Sequence, residues 1–250
     1  MKQIEARLKS ALAQREQQAR PLHLFFRDDD VDEDEASLRR LLDLFLSHQT
    51  PVNLGVIPGR LTQAAIELLN DYSHRHLSLL ELNQHGWRHV NHEPEGKKCE
   101  FGLHRVFSEQ FADIASGQAR MNEAFGGRWF PAFIPPWNRC TNETARALDQ
   151  LGFRVLSRDQ GQPLFAGYGF CELPVTLDIY RWRGGAMLRP EEELARELVQ
   201  QIARQDRIGV MLHHKVMDDE AFALLQMLLT EMRGSQAVRF HTFQSLLETS

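Results

Sequence analysis

Glu81-Leu82-Asn83-Gln84-His85-Gly86-Trp87-Arg88-His89-Val90-Asn91-His92 carries three histidines within eight residues and follows directly on the apolar run Leu77 to Leu82. His85 and His89 stand at i, i+4, a spacing that puts two imidazoles on one face of a helical turn, close enough to share a cation. Two imidazoles do not complete a site. The acidic run Asp28-Asp29-Asp30, which follows Arg27 and the apolar run Leu22 to Phe26, is the expected source of a third ligand. Two histidines and one carboxylate leave metal positions open for water and substrate, which is the arrangement of a catalytic rather than a structural centre.

Around this stretch the chain alternates strand, loop and helix about seven times. Strands are expected over residues 22–27, 52–57, 77–82, 129–134, 153–156, 173–177 and 208–212, with a short one in 237–242. Helices are expected over 34–48, from the cap Thr62 through Leu69, from the cap Ser108 to Phe125, and over 141–151, 190–205 and 218–232, with a small one from Phe243. Ile4, Leu8, Ala11 and Leu12 make residues 1–20 an amphipathic helix lying on the domain. Such alternation demands a mostly parallel sheet covered by helices, as an open sheet or a barrel. No GxGxxG or GxxxxGK[ST] follows a strand, which removes the usual support for a nucleotide-binding open sheet. A barrel of parallel strands with outer helices, as one domain over residues 1–250, is the expected architecture, and 250 residues is its typical size.

Composition narrows the partners. Net charge is −5 with no block of lysines or arginines, which argues against nucleic acid and an acidic membrane surface. Cys99, Cys140 and Cys171 are widely spaced, so a disulfide framework is not expected and a reducing compartment fits best. Met1 to Arg20 lacks the apolar region of a secretory signal, and no run approaches the length of a membrane span; the expected location is the cytoplasm.

The residues that carry chemistry collect at one end of the scaffold. Asp28 to Asp30 follow the first strand and His85 and His89 the third. Pro135-Pro136-Trp137-Asn138-Arg139 follow the fourth, and His213-His214-Lys215 the seventh. All four groups fall at C-terminal strand ends, where barrels keep their active sites.

These blocks resemble the motifs of the polysaccharide deacetylases, the NodB-homology or carbohydrate esterase family 4 group. Phe26-Arg27-Asp28-Asp29-Asp30 is similar to the first motif and Glu81 to His89 to the second. Phe133-Ile134-Pro135-Pro136-Trp137 is similar to the third and Met211-Leu212-His213 to the last, in the family's order and over residues 22–215. The resemblance implies a distorted (β/α)7 barrel and metal-dependent removal of acetyl groups from N-acetylated sugars. It implies that Asp30, His85 and His89 bind a divalent metal, that Asp29 is the general base, and that His213 protonates the departing amine. Zinc is the expected ion, although the same ligand set serves iron(II), cobalt or manganese. Pro136, Trp137, Asn138 and Arg139 are expected to bind or orient substrate, with Trp137 as a wall on which a sugar ring stacks.

The sequence departs from the family at several points. Its third motif begins with arginine where Ile134 stands; the glycine after the first motif is Val31, and the Thr or Ser of the second is Gly86. For a fourth motif only Ser157-Arg158-Asp159 offers itself. A base wedged between Asp28 and Asp30 needs a cation, and Arg27 leaves the strand on the same face as Asp29, about 7 Å away. A contact to Asp29 from Arg27, or failing that from Arg139, is therefore expected. Hydrolysis of another amide or a cyclic ureide, and glycan binding without turnover, are the competing readings. Cys99 reads as a loop cysteine, and His23, His48, His74, His76, His104 and His241 as surface or ordinary hydrogen-bonding residues.

Overall fold

The computed structural model describes residues 2–76 and 78–249. Helix α1 (Lys2–Gln17) precedes β1 (Leu22–Val31). The chain continues through α2 (Ala36–Ser47), β2 (Val52–Val56), α3 (Gln63–Arg75), β3 (Leu80–His85), α4 (Phe107–Phe125) and β4 (Trp129–Ile134). Next come α5 (Asn142–Gln150), β5 (Val155–Leu156), β6 (Cys171–Glu172), β7 (Leu177–Asp178) and an antiparallel hairpin, β8 (Tyr180–Arg181) with β9 (Met187–Leu188). The last elements are α6 (Glu191–Arg204), β10 (Arg207–Leu212), α7 (Asp219–Gly234), β11 (Val238–Phe240) and α8 (Phe243–Glu248).

The parallel strands lie in the order β6-β5-β4-β3-β2-β1-β10-β7, with β11 added beside the start of β1. The strands at the two ends of this path, β6 and β7, belong to one stretch of chain. Leu173 N–H donates to the Leu156 carbonyl, while Thr176 N–H donates to that of Gly209. Residues 171–178 thus pass from β5 to β10 and curl the sheet into a distorted (β/α)7 barrel. The strand expected at 173–177 is split for this reason: its two ends serve different neighbours, and Pro174 between them has no N–H to give a ladder.

Alternation along β1 sorts its side chains. Phe25 points into the barrel with Phe130, Ala132, Ile134, Val155, Leu173, Val175 and Met211, whereas Leu24 and Phe26 join the layer under the helices. Helix α8 closes the far end: Phe243 lies edge-on to Phe25 at 5.2 Å, and the N–H of Gln244 donates to Glu81 Oε2 at 2.9 Å. Glu81, quoted with the histidine motif, therefore belongs to the closed end of the barrel and not to the cleft. Burial pushes its carboxyl up, against the hydrogen bonds it accepts from Asn83 and the start of α8. Leu224, Leu225, Leu228 and Leu229 of α7 are core, as are Ile4, Leu8 and Leu12 of α1.

Other boundaries move. β1 runs on through Asp28 to Asp30 instead of ending before them. β3 starts at Leu80 and continues to His85, and Leu77 lies outside the described residues. Ser108 sits inside the first turn of α4, whose cap position is Val106; Glu109 Oε2 accepts the Val106 N–H there at 3.3 Å. Thr62 does cap α3, accepting from Ala65 N at 3.3 Å. Among the described residues no helix is long and apolar enough to cross a membrane.

Candidate active site

Strand alternation alone would send Asp29 and Asp30 to opposite faces. A register shift against β2 between Asp28 and Val31, with Asp30 at φ +71°, brings both carboxylates to the open end of the barrel. His85, the last residue of β3, donates from Nδ1 to the Ile134 carbonyl at 3.0 Å, which leaves Nε2 to face Asp30 Oδ1 at 3.2 Å. His89 Nε2 reaches the same oxygen at 3.2 Å, and the two imidazole centroids are 5.2 Å apart.

The helical turn expected to pair these histidines is absent. His85 is in a strand, and the chain then folds back through Gly86 at φ +58° and His89 at φ +56°. Glu100, buried beneath this loop, holds it in place: Oε2 accepts from Trp87 N at 3.1 Å, and Oε1 from Arg88 N at 2.8 Å and Val90 N at 3.3 Å. A Cβ on Gly86 would stand 2.2 Å from Glu100 Oε2 and 2.6 Å from Pro136 Cγ. The glycine that departs from the family pattern is thus required by the backbone and by its neighbours.

The ligating atoms of Asp30, His85 and His89 all lie within 4.8 Å of one another. Asp30 Oδ1 is buried and has no hydrogen-bond donor, although two imidazole nitrogens face it. Burial and the neighbouring His85 push the His89 pKa down to about 4, Asp30 opposing. Burial alone would raise Asp30, yet His85, His89 and His213 hold its carboxyl well below the usual range. Burial opposes protonation of His85, but Asp29 and Asp30 outweigh it and raise the ring. An ionised carboxylate facing a neutral imidazole, with a negative field at the other ring, fits a divalent cation. The Nδ1 contact of His85 to a backbone carbonyl is the support such a ligand needs.

Asp29 is held from one side only. Arg27, fully buried inside the barrel, donates from Nη2 to Asp29 Oδ2 at 2.8 Å and to Asn138 Oδ1 at 2.7 Å, and from Nη1 to Ser157 Oγ at 3.0 Å. The expected contact from Arg27 is present. Arg139 instead donates to the Lys98 carbonyl at 3.0 Å and ties two loops together. Asp29 Oδ1 has no partner. Across the cleft, His213 Nε2 stands 4.0 Å from Asp29 Oδ2, and its Nδ1 is buried and unpartnered.

Two tryptophans flank this arrangement. Trp137, at φ +54°, packs against His89 with centroids 4.3 Å apart, and Trp182 lies edge-on to His213 at 4.5 Å. Pro136 packs on Gly86, while Asn138 is buried and points at Arg27 rather than into the cleft. Ser157 is a second anchor of Arg27, and Arg158 pairs with Glu172. Two residues of this neighbourhood, Asp178 and Trp182, were not read from the sequence. Asp178 accepts from Trp182 Nε1 at 2.7 Å, and burial raises its carboxyl against the opposing charge of His213. Its place just after the expected sixth strand was the available signal, and an acid and a tryptophan four residues apart there mark the open face. Glu100, which the sequence offers with Lys98 and Cys99 as a loop segment lining the cleft, is instead buried under the histidine loop and holds its backbone.

No family model matches the sequence, and no curated protein matches it. Solved structures do match. A Mycobacterium smegmatis protein assigned as a polysaccharide deacetylase superposes with a TM-score of 0.73 at 17% identity, over 92% of this chain and 90% of that one. The chain has the fold of the polysaccharide deacetylases. A family 4 acetyl xylan esterase from Clostridium thermocellum, in complex with a cobalt ion, gives a TM-score of 0.61 at 16% identity over 91% of both chains. A peptidoglycan deacetylase from Bacillus subtilis gives 0.59 at 13% identity, again over 91% of both.

Proposed function

We propose that the chain is a metal-dependent hydrolase that removes the acetyl group from an N-acetylated sugar. Asp30, His85 and His89 hold the ion, which we take as zinc because the donor set suits it; Asp29 is the general base and His213 the general acid. The observation that carries this reading is Asp29, with Oδ1 free of partners and Oδ2 4.0 Å from His213 Nε2, beside a His2Asp triad in one cleft. A divalent cation held there would supply polarisation of an acyl carbonyl and a water of lowered pKa. Asp29 takes the water's proton at Oδ1, while Arg27 fixes Oδ2 and so the rotamer. As the water oxygen bonds to the acyl carbon and the C–N bond then breaks, His213 delivers a proton from Nε2 to the amide nitrogen, so that acetate and a free amine leave. Trp137 and Trp182 form apolar walls on which sugar rings stack. Support for an acetylated carbohydrate as substrate comes from structural neighbours named as acetyl xylan esterase and peptidoglycan deacetylase, the second of which favours the N-acetyl group.

The test is acetate release from a panel of N-acetyl sugars. Asp29→Ala and His213→Ala should each keep the metal and lose turnover by on the order of 10²-fold or more. Release at the parental rate by both variants contradicts the assignment, and glycan binding without release by the parent points to a barrel that only binds.

A further inference from the structure

β1 and the segment just after β10 each present two adjacent residues at the cleft, one facing in and one facing out. The inward pair is Asp29 and His213. The outward pair is Asp28 and His214, both fully buried. Asp28 Oδ1 accepts the backbone N–H of His214 at 2.8 Å, and Oδ2 accepts Nδ1–H of the same residue at 2.6 Å. One carboxylate therefore grips one residue at two points, directly beyond the ladder that pairs Asp28 with Leu212. The segment is fastened again one residue on, where Lys215 binds Asp32 and lies 3.4 Å from Glu35. Arg60 closes the same group, 2.9 Å from Asp32.

We infer that Asp28 and His214 form a positioning pair, whose two hydrogen bonds set the placement of His213 opposite Asp29. The inference rests on the function proposed above. His213 keeps an extended backbone (φ −145°, ψ 91°) just past β10, and His214 opens the short 3-10 turn that follows, so fixing the backbone N–H and ring of His214 fixes the peptide from which His213 projects on the other side. Among the described residues no hydrogen bond in the cleft does this instead: His213 Nδ1 has no partner, and Trp182 touches it only ring to ring. His213 is aimed from behind. A charge-assisted hydrogen bond to a buried carboxylate suits this task because it is strong and directional. An error of about 1 Å in placing a catalytic group is enough to reduce turnover by about 10²-fold.

The pair is tested with His214→Ala and His214→Asn in the metal-loaded protein. The Asn amide nitrogen takes the place of Nδ1 and preserves the bond to Asp28. We expect His214→Ala to lower kcat by about 10- to 100-fold with KM and metal content little changed, and His214→Asn to recover most of the loss. Because Ala leaves a buried carboxylate short of a donor, Asp28→Leu/His214→Leu is measured in parallel, and it should show the same kcat loss without an unpaired charge. Parental kcat in either of these disrupted variants overturns the inference, as does a folded, metal-replete Asn variant no better than Ala. Histidine ring NMR provides a readout independent of turnover: the His213 ring signals should shift in the Ala variant and return in the Asn variant. If the parent releases acetate from no substrate, the proposed function fails. The pair is then judged on these signals alone, and unchanged His213 signals in the Ala variant refute it.

Discussion

Arg27 is the residue on which this site differs most from the pattern it resembles. The position that the family fills with arginine in its third motif is Ile134, inside the barrel core, and the guanidinium comes instead from two residues before Asp29. It is buried among Asp29, Asn138, Ser157 and Met211, so it aligns the carboxylate and also links β1 to β4, β5 and β10. Arg27→Met should lower turnover by on the order of 10²-fold and destabilise the fold by about 3 kcal/mol, since it leaves a buried carboxylate unpaired. Steady-state kinetics and urea unfolding measure the two effects, and a variant matching the parent in both removes Arg27 from the account. This contact was legible because strand alternation places residues i and i+2 on one face. The position of Asp30 beside Asp29 was not, because it depends on a bulge and a positive φ that no residue type announces.

At the scale of elements, the histidine loop shows how a spacing can lead to the right partners by the wrong geometry. His85 and His89 meet at Asp30, but across a strand end and an irregular turn, with Glu100 as the hidden support. Gly86→Ser, which restores the residue type of the resembled motif, should here lower metal affinity by about 10- to 100-fold and stability by about 1–3 kcal/mol. Metal titration and thermal unfolding decide it; unchanged affinity would mean that the loop does not depend on its glycine. A second pair of histidines lies at the closed end, where His23 Nδ1 and His241 Nε2 are 2.9 Å apart and His241 Nδ1 meets Ser245 Oγ at 3.2 Å. Burial, His23 and Arg207 push the His241 pKa down to about 4, and burial and Arg207 push His23 down from 6.5, with Asp206 opposing. The unfolded chain thus binds more protons below about 6.5, so this stability is complete above 6.5 and lost as pH falls toward 4. His241→Gln should reduce the loss between pH 7 and 4 by roughly 1–3 kcal/mol, read from urea unfolding at each pH. Equal losses in parent and variant would assign the acid sensitivity elsewhere.

At the scale of the whole molecule, alternation of strands and helices made the barrel legible, but not the way it closes. β6 and β7 are two residues each and give no periodic signal, and the β8–β9 hairpin that carries Trp182 toward His213 was not foreseen for the same reason. Helix α1 is joined to the rest by Ile4, Leu8 and Leu12 in the common core and by Arg15, which donates to the Gln205 carbonyl and to Asp206. We propose that residues 1–250 unfold as one unit, with a single transition by calorimetry and circular dichroism; a separate early transition would set α1 apart. All of the proposed chemistry depends on the ion held at the open end of this barrel. The most direct measurement is metal stoichiometry by mass spectrometry, in protein purified without chelator or nickel resin and then equilibrated with zinc, for the parent and for His85→Ala/His89→Ala. One equivalent in the parent and a near-complete loss in the double variant is the expected result. A full equivalent in the double variant, or none in the parent, would contradict the account.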